Sequence, residues 1–110
     1  MKRTIVAIIT DVLGDRVIIG DNELSHAIEG HFEFFPKDML LELLERILKD
    51  PTIVYEEKTK NLYHLFYRLE NKKFIVVVVK RSESGSFLST IYPTGKDIRN
   101  KHKKFKKVKL

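Results

Sequence analysis

Phe74-Ile-Val-Val-Val-Val79, closed by Lys80-Arg81, decides how this chain of 110 residues folds. The run is short, unbroken by polar residues and rich in valine. It therefore reads as a central strand covered on both faces rather than as a half-buried strand or a helix. Working outward, Thr52–Glu57 and Leu62–Leu69 have strand composition, with turns at Lys58–Asn61 and Glu70-Asn-Lys72. Downstream, Ser82–Gly85 reads as a loop and Ser86–Tyr92 as a last strand broken by Pro93. Connections this short favour an antiparallel meander with the helices gathered on one face.

Upstream lies the clearest helix. Met39, Leu40, Leu43, Leu44, Ile47 and Leu48 recur at helical spacing, Pro36 suits the first turn, and Asp50-Pro51 ends it. Asp21 or Asn22 can cap a shorter helix stopping near Gly30. Thr4–Thr10 and Arg16–Ile19, rich in Ile and Val, flank Leu13-Gly-Asp15 and predict a hairpin. The expected fold is α+β: two helices on a four-stranded antiparallel sheet, with an added N-terminal β-hairpin. One domain is expected over residues 1–95 (hairpin 4–19, core 22–93), followed by a basic tail over 96–110.

The chain carries a net charge of +6, and its placement is uneven. From Lys96 to Leu110 there are eight Lys/Arg against Asp97, whereas the remainder holds 13 basic and 14 acidic residues. The excess therefore belongs to the tail, where Lys96, Arg99, Lys101, Lys103 and Lys104 are candidate RNA contacts acting by counterion release. Such a tail is expected to add affinity and no chemistry; the plainer reading is a solubilising appendage. With no cysteine, disulfides, thiolate metal sites and cysteine nucleophiles are excluded. The apolar run after Met1 is too short for a signal peptide and no segment is long enough to span a membrane, so a cytoplasmic location is expected.

Two histidines draw attention because imidazole titrates nearest neutrality. His26 and His31 lie five residues apart, about 140° around a helix, and so cannot share one face. Either the helix stops near Gly30 and His31 swings onto the loop, or only one histidine points inward. His31 fits the stripe of Leu24, Ala27 and Ile28, while His26 leans toward its edge. The spacing misses the helical pair that zinc uses, and no carboxylate cluster suits magnesium. Lys80, Arg81 and Arg68 stand at strand ends where cations can meet a phosphate. Thr90 and Tyr92 share a strand face, with Ser89 on the other. His64, mid-strand, and His102, in the tail, read as structural or electrostatic.

At these residues the chain resembles the barnase–EndoU–colicin–RelE class of small ribonucleases, particularly its phage-associated nuclease domains. The resemblance rests on His26-Ala-Ile-Glu-Gly-His31, the Pro36–Asp50 helix, the four strands, a basic residue on a middle strand and the Ser/Thr-Tyr set on the last. It spans roughly residues 22 to 93, leaving the hairpin and the tail outside. It implies His31 as the main acid–base group, His26 as a second histidine, Lys80 or Arg81 supplying charge to a phosphate, and Thr90 with Tyr92 or Ser89 orienting it.

The implied activity is endonucleolytic cleavage of RNA by its own 2′-hydroxyl, with no metal or other cofactor, in a toxin-like or phage-derived protein. The implied partners are RNA (a tRNA being one candidate) and a cognate inhibitor protein. A homodimer could form through the hairpin, which could instead extend the sheet. The alternatives are a non-catalytic nucleic-acid-binding module using the tail and exposed Tyr63, Phe66 and Tyr67, and a protein-interaction domain.

Overall fold

The computed structural model describes residues 4–69, 73–95 and 106–110. The chain begins with strands β1 (Ile5–Thr10) and β2 (Arg16–Gly20), followed by helices α1 (Asp21–His31) and α2 (Lys37–Lys49). Strands β3 (Ile53–Glu57), β4 (Leu62–Arg68), β5 (Phe74–Ser82), β6 (Gly85–Thr94) and β7 (Lys106–Lys107) complete it. The strands form one sheet ordered β1-β2-β6-β5-β4-β3-β7. As the valine run predicts, β5 is the middle strand. Val76 and Val77 are both fully buried, although they point to opposite faces.

The expected four-stranded antiparallel sheet is corrected to a seven-stranded mixed one. Strands β3 to β6 do form the antiparallel meander. The hairpin extends it, because β2 docks parallel to β6 through Val17↔Ser86 and Ile18↔Phe87. Its turn is organised by Asp11, whose Oδ1 accepts from the backbone N–H of Leu13 at 3.0 Å and of Asp15 at 2.9 Å. Gly14 supplies the positive φ of 89° that the turn requires.

At the other edge, Lys106 and Lys107 pair with Glu56 and Tyr55, and the Val108 N–H donates to the Val54 carbonyl at 2.9 Å. Residues 106–110 thus depart from the expected appendage: β3 offers an unpaired edge, and the chain end fills it. The other tail positions, Lys96, Arg99, Lys101, Lys103 and Lys104, lie outside the described residues, as does the turn expected at Glu70-Asn-Lys72.

One sheet face packs against the helices. The α2 stripe consists of buried Leu40, Leu44, Ile47 and Leu48, with Met39 turned out at 53% exposure. These join Leu24 and Ala27 of α1 on Val54, Leu65, Val77 and Ile91 of the sheet. The opposite face buries Tyr55, Phe66, Val76 and Val78, with Phe74 and Tyr92 at its margin. Burial on both faces corrects the expectation of exposed aromatics, since Tyr63 is 9% and Phe66 1% exposed and Tyr67 is half-buried.

Three local expectations also change. Neither Asp21 nor Asn22 caps α1; Gly20 holds that position without a side-chain cap, and Glu23 Oε2 would lie 2.5 Å from any Cβ there. The helix runs through Gly30 and ends at Phe32, whose N–H donates to the Ala27 and Ile28 carbonyls. β6 also continues past Pro93 to Thr94. There β2 no longer flanks the strand, so a residue lacking an N–H disrupts no ladder on that side.

Candidate active site

Where β2 leaves β6, α1 packs along the strand. That puts His31, on the last helical turn, against Tyr92. Their ring centroids are 6.4 Å apart and tilted by 49°. Phe32 holds the imidazole from a second side, edge to face at 6.4 Å. His31 is exposed and Tyr92 half-buried, so the histidine has a fixed aromatic neighbour and an open approach. His31 therefore stays on the helix and not on a loop, but the expectation that one histidine points inward is corrected: both His26 and His31 are exposed, and only Leu24 and Ala27 of the helix are buried.

At the other end of α1, Glu23, Lys80, Ser82, Phe87, Leu88 and Ser89 line an open cleft of about 360 Å³. Ser89 is the extra residue of a β-bulge: Val79 pairs with Leu88 and Val78 with Thr90, leaving Ser89 without a partner across the ladder. Lys80 and Ser89 are therefore brought together, and so are His31 and Tyr92.

The two pairs do not meet at a point. Lys80 pairs with Phe87 whereas Tyr92 pairs with Val76, an offset of four residues on β5, or about 13 Å. Thr90 lies between them on the face shared with Tyr92. Arg81 belongs to neither pair, and the side chain of Arg68 lies outside the described atoms.

Two polar groupings were not foreseen. The first pairs His64 with Glu57, Nε2 to Oε2 at 3.2 Å, both side chains nearly buried. The second is a chain of contacts at the end of the sheet. The Arg81 guanidinium ion-pairs with Asp15. It donates to the Tyr63 hydroxyl at 2.9 Å and lies 4.3 Å from the centre of that ring. Tyr63 in turn donates to Glu56 Oε2 at 2.6 Å. Burial first, and then the Glu56 carboxylate that its proton serves, push the Tyr63 hydroxyl up to about 12. Burial also raises Asp11, against the opposing pull of the Leu13 N–H and of Arg81.

A signal for the His64–Glu57 and Tyr63–Glu56 contacts was present in the sequence, though not for the ion pair of Arg81 with Asp15. Two consecutive glutamates at the end of one strand face Tyr-His on the next across a short turn, so cross-strand and diagonal partners were predictable once register was known. Among the described residues, no group of three or more His, Asp or Glu is arranged to hold a metal ion.

The elements on which the resemblance rests, a histidine-bearing helix, a second helix and a four-stranded meander, are all present. The profile of the phage-Barnase-EndoU-ColicinE5/D-RelE like nuclease2 family matches residues 2–110. The chain belongs to this nuclease family. The match includes the hairpin and the basic tail, correcting the expectation that the family pattern stops at residues 22 and 93. In this member of the phage-type nucleases, both sheet extensions are therefore part of the family unit. No curated protein and no solved structure matches the chain significantly. Among the described residues, no helix is long and apolar enough to cross a membrane.

Proposed function

We propose that this nuclease is an endoribonuclease that uses the 2′-hydroxyl of RNA as its nucleophile and needs no metal. The observation that carries the reading is the exposed His31 imidazole held against Tyr92, in a chain of a nuclease family. His31 exchanges protons with the reacting oxygens, removing the 2′-hydroxyl proton or protonating the leaving 5′-oxygen. The Tyr92 and Thr90 hydroxyls orient the phosphate between them. Charge builds on that phosphate as the 2′-oxygen attacks, and fixed hydrogen-bond donors stabilise it there.

Lys80, about 13 Å along β5 from the level of Tyr92, and Ser89, which lines the same cleft as Lys80, instead bind a neighbouring phosphate, which sets the strand's register. His26, exposed on the outer side of α1, meets the strand only as it leaves the site. The products are a 2′,3′-cyclic phosphate and a 5′-hydroxyl. The partner is RNA, and an inhibitor protein covering the α1–β6 edge would block it.

The test is cleavage by the purified protein in excess EDTA. RNA should be cut and 2′-deoxy oligonucleotides of the same sequence left intact. A requirement for magnesium, or equal cutting of DNA, contradicts the mechanism.

A further inference from the structure

The cavity beside Arg81 plays no part in that chemistry, yet it is built from five separate stretches of the chain. It has a volume of about 490 Å³, within the range of sites that hold a small molecule or a nucleotide. Leu13 of the β1–β2 turn and Val108 give it apolar wall, and Glu56 and Tyr63 contribute from β3 and β4. Four cations line it, Arg81, Lys106, Lys107 and Lys109, against the single carboxylate of Glu56.

The cations differ in how they are held. Arg81 is fixed by Asp15 and the Tyr63 hydroxyl, which orients it and offsets part of its charge. Lys106, Lys107 and Lys109 are exposed, and among the described residues no ion pair involves them. They are delivered by β7, whose pairing with β3 places a basic segment of the chain over this opening. The local excess of positive charge, with an apolar wall beside it, selects an anionic ligand that also carries an uncharged part.

The geometry points to a second RNA-binding site here, an anchor for the phosphodiester backbone of a strand whose scissile bond lies at His31. The inference rests on the RNA reading above for its ligand, and adds a place for it. Its energetic signature is electrostatic: each phosphate neutralised releases counterions, so affinity falls with salt more steeply than contacts at the α1–β6 edge alone require. It contributes binding and not rate, because it touches no reacting atom.

The experiment uses the full chain and a 2′-O-methyl oligoribonucleotide, which binds but cannot be cleaved through its 2′-oxygen. Binding is measured across salt concentrations for the wild type, for Lys106→Glu with Lys109→Glu, and for Lys49→Glu on α2 as the control. The double variant should bind roughly tenfold or more weakly, with a logarithmic salt slope flatter by about one to two. On cleavable RNA it should raise KM and leave kcat in place. The control should match the wild type.

Lys106→Gln with Lys109→Gln, which removes charge without reversing it, should show the same direction with an unchanged thermal transition. Unchanged affinity and slope in the double variant overturn the anchor, as does an equal loss in the control. A free nucleoside 5′-monophosphate competing as well as the oligonucleotide would overturn the strand reading in favour of a mononucleotide site. Because the probe is uncleavable, the two readings fail separately. A chain that never cuts RNA but keeps this salt response faults the nuclease mechanism alone. One that cuts RNA with no such response faults the anchor alone.

Discussion

The two edges of this molecule handle polar side chains in opposite ways. At the α1–β6 edge, His31 is exposed and, among the described residues, makes ring contacts to Phe32 and Tyr92. At the β3–β7 end, Arg81, Tyr63, Glu56 and Asp15 are cross-linked into a partly buried chain of hydrogen bonds and an ion pair. A group that must exchange protons with a substrate gains from an open approach and few competing partners. A group that must present a fixed charge gains from being tied down. In the proposed mechanism the first edge carries the chemistry and the second the positioning.

The largest expected effect breaks the first edge without touching the second. His31→Ala should lower the cleavage rate by roughly two to four orders of magnitude, the usual range for a general acid or base. Because the side chain is exposed, its thermal transition should stay where it is. A coincident loss of folding would mean that the histidine is structural.

The second edge responds the other way. Tyr63→Phe keeps the ring under Arg81 but removes the hydroxyl that joins Arg81 to Glu56, leaving a partly buried carboxylate short of a donor. Denaturant unfolding should show a loss of about 1–3 kcal/mol, while kcat stays near the wild-type value. A drop in kcat comparable to that of His31→Ala would erase the distinction between the edges.

How far the sequence reveals these edges depends on whether the signal is local. The valine run, the α2 stripe and the Asp11–Asp15 turn are encoded by neighbouring residues and can be read directly. The parallel docking of Val17 and Ile18 on Ser86 and Phe87 cannot, because nothing near either stretch specifies the other. β7 is harder still: Lys106-Lys107 has no strand propensity and is recruited by the open edge of β3.

His31 was legible from its place in the Leu24–Ala27–Ile28 stripe, but its contact with Tyr92 is a product of the tertiary fold. The Ser89 bulge shifts the alternation that sequence reading takes as unbroken, and so alters which residues accompany Lys80. Arg81 and Asp15 are 66 positions apart, which hides the pair entirely. Arg81 looked like an unengaged strand-end cation for that reason.

A smaller effect sharpens the contrast through pH. Tyr63 is raised in the folded chain to about 12, so its contribution to stability is fully present below the ordinary tyrosine value near 10 and is lost as pH rises through the folded value. Alkaline unfolding should therefore steepen over that interval in the wild type and flatten in Tyr63→Phe.

The smallest effect concerns Asp11, whose raised carboxyl makes its contribution greatest in acid and reduced once it ionises. Asp11→Asn keeps an oxygen for the Leu13 and Asp15 amides. It should match or slightly exceed the wild type in stability at neutral pH, and lose that advantage toward acid. A loss at neutral pH that disappears in acid would instead mark the charge itself as the turn's organiser.

The central claim is that proton transfer by His31 to or from an RNA substrate is the chemistry of the α1–β6 edge. The most direct measurement uses a 2′-deoxy oligonucleotide carrying a single ribonucleotide, incubated with wild type and His31→Ala in excess EDTA, with both new termini identified. The account predicts one cut, on the 3′ side of the ribonucleotide, leaving a 2′,3′-cyclic phosphate and a 5′-hydroxyl, with His31→Ala slower by at least a hundredfold. Cuts at deoxy positions, a 5′-phosphate terminus, or equal rates for the two proteins would contradict it.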